Sequence, residues 1–256
     1  TAWTAASFDR TVQGRYTQRR WLKEQARNPR LAGNMTHKQS DAGRDDDARG
    51  KRRKLSRKRK PEEMTVEQWQ VALRRRYGRK QDFEMENVGG RPLFSEFAVT
   101  NPESGHTYRV AIRGEQLGVN YCSCPDFAVN TLGTCKHIEF ALGELGDTDE
   151  KRERLLRGHN PPFSEVFVRY GPERKVEFSP GSEAPRELRE MALRYFRPDG
   201  VLREEAVGKF EEFVERARSR FDHELRCYDD ALELIAEKRD AAHRRRVIDE
   251  KYEGKR

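Results

Sequence analysis

YCSCPDFAVNTLGTCKHIEF, residues 121–140, carries three of the four cysteines in a chain of 256 residues. Cys122, Cys124, Cys135 and His137 follow the pattern C-x-C, ten residues, C-x-H, and all four are types that bind zinc as thiolate or neutral imidazole. No other stretch carries comparable chemistry. C-x-C alone fits buried or redox cysteines equally well. The added C-x-H, followed by Ile138, Phe140, Ala141 and Leu142 at helical spacing, selects a metal site.

Backbone geometry allows the convergence. In an extended strand, residues two apart point the same way and lie ~6.6 Å apart, so Cys122 and Cys124 can share one ion at Zn–S distances near ~2.3 Å. Inside a helix, residues two apart differ by ~200° around the axis, so Cys135 and His137 must straddle a helix start. Leu132-Gly133-Thr134 supplies the turn, and Thr134 reads as the N-cap. Four protein ligands close the tetrahedron and leave no position for water or substrate. Three thiolates and one imidazole on Zn2+ leave a formal charge of about -1, which the neighbouring Lys136 can offset. The expected cofactor is structural Zn2+.

Working outward, the composition is polar: 38% charged and 34% hydrophobic residues, with mean hydropathy -1.05. Part of the chain is therefore expected to lack a core. No apolar run approaches the ~20 residues of a membrane span, and TAWTAASFDR lacks the basic-then-apolar order of a signal peptide. A cytoplasmic protein with no membrane partner is the expectation. Thr1 at the start and the charged RRRVIDEKYEGKR at the end read as the limits of a piece of a longer protein.

The net charge of +8 is unevenly placed: residues 1–60 hold 18 Lys/Arg against 6 Asp/Glu, and residues 61–256 hold 34 against 38. Residues 1–60 show no sustained apolar period and end in KRRKLSRKRK, so they read as a disordered basic arm. Lys51, Arg52, Arg53, Lys54, Arg57, Lys58, Arg59 and Lys60 are candidate phosphate contacts there, without base preference. A solvated linker and a nuclear-import signal are the other readings of the same run.

Beyond the arm, Thr65 with Gln68 forms a capping box, and Val66, Trp69, Leu73 and Tyr77 set a short amphipathic helix that stops at Gly78. Arg74, Arg75 and Arg76 follow its apolar stripe, either as charges suited to a helix C-terminus or, for Arg74 and Arg75, as further nucleic-acid contacts. FSEFAVT and TYRVAIRG, separated by NPESGH, form a hairpin. KRERLLRGHNPP is a charged connector, and FSEVFVRYG with RKVEFSPG forms a second hairpin. PRELREMALRYF, VLREEAVGKFEEFVERARSRF and DDALELIAEKRDAAHRRRV read as three helices. Cys227 reads as a buried free thiol. His37, His106, His159 and His243 are isolated and carry no assigned chemistry. The fold class is α+β: hairpins with a strand-turn-helix zinc finger, then a helical C-terminal part. The divisions fall at 1–60 for the basic arm, 61–147 for the finger module and 148–256 for the second hairpin and helices.

C-x-C and C-x-H ahead of an apolar helix resemble the SWIM zinc finger. PLFSEFAVTNPESGHTYRVAIRG, NYCSCPDFAVNTLGTCKHIEF, PPFSEVFVRYG and HELRCYDD together resemble the N-terminal accessory region of bacterial Swi/Snf-type helicase-like ATPases, over roughly residues 65–247. The resemblance implies contacts with DNA or other proteins, a nucleoid-associated location if the protein is bacterial, and a DNA-remodelling motor acting in cis or in trans. The motor itself is absent from this stretch: no G-x-x-x-x-G-K-[ST] occurs, and Arg203 stands where Gly208-Lys209 would require a glycine. The chain reads as a binding module rather than an enzyme. A nuclease or transposase would need grouped carboxylates, and the acidic residues fall mostly on helix surfaces. The alternative is a protein-interaction adaptor with a structural finger and no direct DNA binding.

Overall fold

The computed structural model describes residues 55–253; Lys51, Arg52, Arg53 and Lys54, with the rest of residues 1–54, lie outside them. The first helix, α1 (Val66–Gly78), starts as its capping box dictates: Thr65 Oγ1 accepts from Gln68 N at 3.2 Å, and Gln68 Oε1 accepts from Thr65 N at 2.9 Å. Residues 55–60 lie against this helix. Trp69 Nε1 donates to the Ser56 carbonyl at 2.9 Å and Arg76 donates to the Leu55 carbonyl at 2.6 Å.

Four antiparallel strands follow in the order β1-β2-β3-β4: β1 (Glu84–Asn87), β2 (Glu96–Thr100), β3 (Thr107–Ala111) and β4 (Tyr121–Cys122). The β2–β3 hairpin is the one its alternation implies, with Thr100 opposite Thr107 and Val99, Val110 and Ile112 buried. Strand β1 has no hydrophobic alternation to announce it. Its EMEN side chains are mostly exposed, and it exists because its backbone pairs with β2, leaving a charged edge that discourages further strand addition.

Two helices carry the finger, α2 (Pro125–Val129) and α3 (Lys136–Leu145). The segment expected as a charged connector is instead helical in its first part, α4 (Asp149–Arg157). Thr148 caps it by accepting from Lys151 N at 3.3 Å, and side-chain pairs such as Lys151–Asp147 and Arg152–Asp149 line its outer face. Only Leu155 is buried, so the helix offers almost no apolar stripe to read, yet that residue joins the finger's core.

The second half is built on a sheet of order β6-β5-β7. Strands β5 (Ser164–Arg169) and β6 (Lys175–Ser179) form the expected hairpin. The unforeseen strand is β7 (Leu225–Cys227), which runs parallel to β5; the long crossover that a parallel pair needs is supplied by the intervening helices. These are α5 (Arg186–Ala192), a 3-10 segment (Glu204–Lys209) and α6 (Phe210–Arg220). The expected single helix over 201–221 is therefore broken: Val201 and Leu202 form extended bridges to Glu177 and Phe196. Sheet pairing wins there over a helical tendency weakened by Gly208. The last helix, α7 (Asp229–Glu253), buries Ala231, Leu234 and Ile235 near its start.

Two hydrophobic cores result. One joins the finger sheet with α3 and Leu155; the other joins the second sheet with α5, α6 and the start of α7. Phe213 sits at the centre of the second, with ring centroids 5.5 Å from Phe178, 5.3 Å from Tyr195, 5.0 Å from Phe196 and 6.3 Å from Phe210. Cys227 is buried on β7, as its sequence context implies, and burial pushes its thiol up to about 12. Phe213→Ala is expected to lower unfolding free energy by about 3–5 kcal/mol, measured by urea denaturation.

Candidate metal centre

Each ligand is placed by a different local device. Cys122 is fixed by the pairing of β4 with β3, where it lies opposite the fully buried Val110. The extended backbone continues through Cys124 (φ -76, ψ 152), which caps α2, and its Sγ accepts from Phe127 N at 3.4 Å. The loop back to α3 is held by Asn130, whose side chain donates to the Asp126 and Thr134 carbonyls at 2.6 and 3.1 Å and accepts from Leu132 N at 2.8 Å.

At the helix start the structure corrects the expected cap. Cys135, not Thr134, is the N-cap of α3; it is extended (φ -148, ψ 172) and makes no side-chain cap bond. The extended N-cap conformation turns its Sγ toward the other ligands while His137 sits in the first helical turn. Thr134 Oγ1 instead donates to Glu139 Oε1 at 2.9 Å.

The four donor atoms lie within 4.8 Å of one another, and all four residues are buried. Cys122 Sγ and Cys135 Sγ lie 3.8 and 3.9 Å from His137 Nδ1. The edge of a zinc tetrahedron with Zn–S near ~2.3 Å and Zn–N near ~2.0 Å is about 3.5–3.8 Å, so the atoms need only a small contraction to hold the ion. None of the three thiols is in a disulfide. The residues fit Zn2+, and with four protein ligands the ion has a structural role.

The electrostatics fit the same ion. Burial pushes the Cys122 and Cys135 thiols up, whereas hydrogen bonds from Cys122 and Cys135 hold Cys124 well below the usual thiol range. Zinc binds cysteine as thiolate, so loading the site releases protons from these buried thiols. Phe83 and Tyr108 wall in the imidazole at centroid distances of 5.2 and 4.7 Å. The Lys136 ammonium sits over the Tyr77 and Phe83 rings, 5.6 and 5.4 Å from their centroids, as a nearby counter-charge.

The arginines of α1 have carboxylate partners that the sequence does not advertise. Arg74 forms a two-point pair with Asp126 of α2, at 3.1 and 2.8 Å, and Arg75 Nε lies 2.9 Å from Glu139 Oε2 of α3. Glu139 is only 2% exposed, and Arg75 and Thr134 are its side-chain partners. The two pairs clamp α1 across both helices that flank the ligand loop. Lys60 Nζ donates to the Pro61 and Met64 carbonyls, whereas Arg57, Lys58 and Arg59 have exposed side chains.

Removing the metal leaves three buried thiols against a zinc contribution of ~10–16 kcal/mol. Chelation by EDTA, or Cys135→Ser, is expected to abolish the folded signal of residues 93–145 in circular dichroism and amide NMR. Because the ligand thiols lose protons when zinc binds, affinity should fall as pH falls; zinc titration against a competing chelator across pH reads this directly.

No curated protein and no solved structure matches the chain. Residues 108–146 match the SWIM zinc finger family model, a segment that runs from Tyr108 beside the imidazole to the end of α3 and contains all four ligands. The family match and the geometry agree on one site, with Cys122, Cys124, Cys135 and His137 positioned to bind a zinc ion.

Proposed function

We propose that the chain is a zinc-stabilised accessory module that binds DNA without sequence preference and serves a Swi/Snf-type DNA-remodelling motor, in cis or in trans, as a binding partner rather than a catalyst. A cytoplasmic, nucleoid-associated setting goes with that reading. The observation that supports it is the placement of the basic run. Residues 55–60 are tied to α1, and α1 is clamped to the finger by Arg74 and Arg75. Arg57, Lys58 and Arg59, with Arg79 and Lys80 at the end of α1, are exposed. Phosphate contact falls to these side chains, because Arg74 and Arg75 are already paired with carboxylates.

A second reading, a protein-interaction adaptor, is favoured by exposed apolar side chains: Val129 on the finger is 81% exposed, and Val247, Ile248 and Tyr252 are exposed on α7. Among the described residues no helix is long and apolar enough to cross a membrane.

Fluorescence anisotropy of the full chain on duplex DNA across a salt series separates the two readings. Each phosphate contact contributes a slope of about -0.9 in log affinity against log salt. Combining Arg57→Ala, Lys58→Ala and Arg59→Ala is expected to flatten the slope by about 2–3 while leaving zinc content intact. Unchanged affinity and slope in this variant would defeat the DNA reading and favour the adaptor.

A further inference from the structure

The ligand loop is joined to the second half of the molecule by contacts that converge on the first turn of α7. Gly118 N donates to the Gly133 carbonyl at 3.1 Å, and the Gly118 carbonyl accepts from Tyr170 N at 2.8 Å. Gly133 lies two residues before the ligand Cys135. Both glycines have positive φ, +86 and +69, and a Cβ on either would stand within 3 Å of backbone, at 2.0 Å from the Tyr170 carbonyl oxygen for Gly118. Only glycine permits this close backbone approach. The Tyr170 ring then lies 4.6 Å from Phe127 of the finger, and its hydroxyl donates to Asp230 Oδ2 at 2.6 Å. Burial and the Asp230 charge both push that hydroxyl up, so it stays protonated as a donor.

A second branch starts two residues before Cys122. The Asn120 side chain accepts from Arg113 N at 2.7 Å and donates to the Gly114 carbonyl at 2.7 Å. The Arg113 guanidinium stacks over the Tyr228 ring, 4.2 Å from its centroid, and the Tyr228 hydroxyl donates to Glu165. Glu165 also lies 3.2 Å from His159 Nδ1 and 3.9 Å from Arg113 Nε. Burial works to raise that carboxyl, but His159, Arg113 and Tyr228 outweigh it and hold Glu165 below the usual carboxylate range. The two branches meet on Tyr228 and Asp230, at the root of a helix whose residues 239–252 are exposed.

We propose that zinc occupancy of the finger is transmitted through Tyr170 and the Arg113–Glu165–Tyr228 cluster to the root of α7, so that the metal sets the order of residues 225–236 as well as of the finger. The proposal rests on the structural zinc reading. Loss of the ion frees the 118–133 loop contact, withdraws the backbone support of Tyr170, and leaves Asp230 without its buried donor.

Hydrogen exchange on the full zinc-loaded chain tests this, with zinc per chain measured by atomic absorption. Chelation is expected to raise exchange in residues 93–145 and, by about tenfold, the scale of one lost hydrogen bond, in residues 225–236, while α6 keeps its protection. Tyr170→Phe should retain zinc and leave α3 protected, yet raise exchange in residues 225–236 alone. Finger exchange that rises without any change in residues 225–236 overturns the relay and leaves the zinc reading standing. Absence of zinc from the purified chain overturns the zinc reading itself. If chelation unfolds α6 too, the Tyr170→Phe variant decides: unaltered exchange in residues 225–236 then overturns the relay.

Discussion

Closure of a tetrahedron by Cys122, Cys124, Cys135 and His137 is the constraint on which the rest of the finger depends. Three buried cysteines repel one another as thiolates, and as neutral thiols beside an imidazole they gain little. Only a dication makes their convergence favourable, and its contribution is comparable to the whole stability of an ordinary domain, ~5–15 kcal/mol. The metal site therefore adds to the apolar core that Phe97, Val99, Val110, Ile112, Ile138 and Phe140 form around it.

The surroundings carry the constraint outward. Asp126 and Glu139 lie on the two helices that bracket the ligand loop, and Arg74 and Arg75 on α1 engage one each. The arginines fix the orientation of α1 against the finger, and with it the exposed cations at residues 57–59. All three arginines of the helix are engaged within the fold, whereas Arg57, Lys58 and Arg59 before it and Arg79 and Lys80 after it are exposed. The Gly118–Gly133–Tyr170 contact joins the ligand loop to the residue that follows β5 of the second sheet.

Much of this was legible in the residues. The capping box, the two hairpins and the four ligands depend on short-range spacing, and short-range spacing is what a linear sequence displays. Elements stabilised by distant partners were hidden. Strand β1 has charged, exposed side chains and exists only through its pairing with β2. Strand β7 is three residues long and is held by a parallel partner some sixty positions earlier. Helix α4 buries one residue, too few to set a period. The helix expected over residues 201–221 failed at its start because Val201 and Leu202 found sheet partners.

By itself, then, the sequence determined that a zinc-binding strand-turn-helix follows a hairpin, because ligand type and spacing limit the geometries in which four donors meet. It left the roles of the remaining polar residues open. His159 looked isolated, yet it lies against a buried Glu165 that also receives Tyr228 and neighbours Arg113. Arg74 and Arg75 looked like surface charge, yet each meets a carboxylate more than fifty residues away. Tertiary structure alone decided these, since the free energy of a charged group is set by the partners and solvent around it in space, and those neighbours come from elements that the chain order keeps apart.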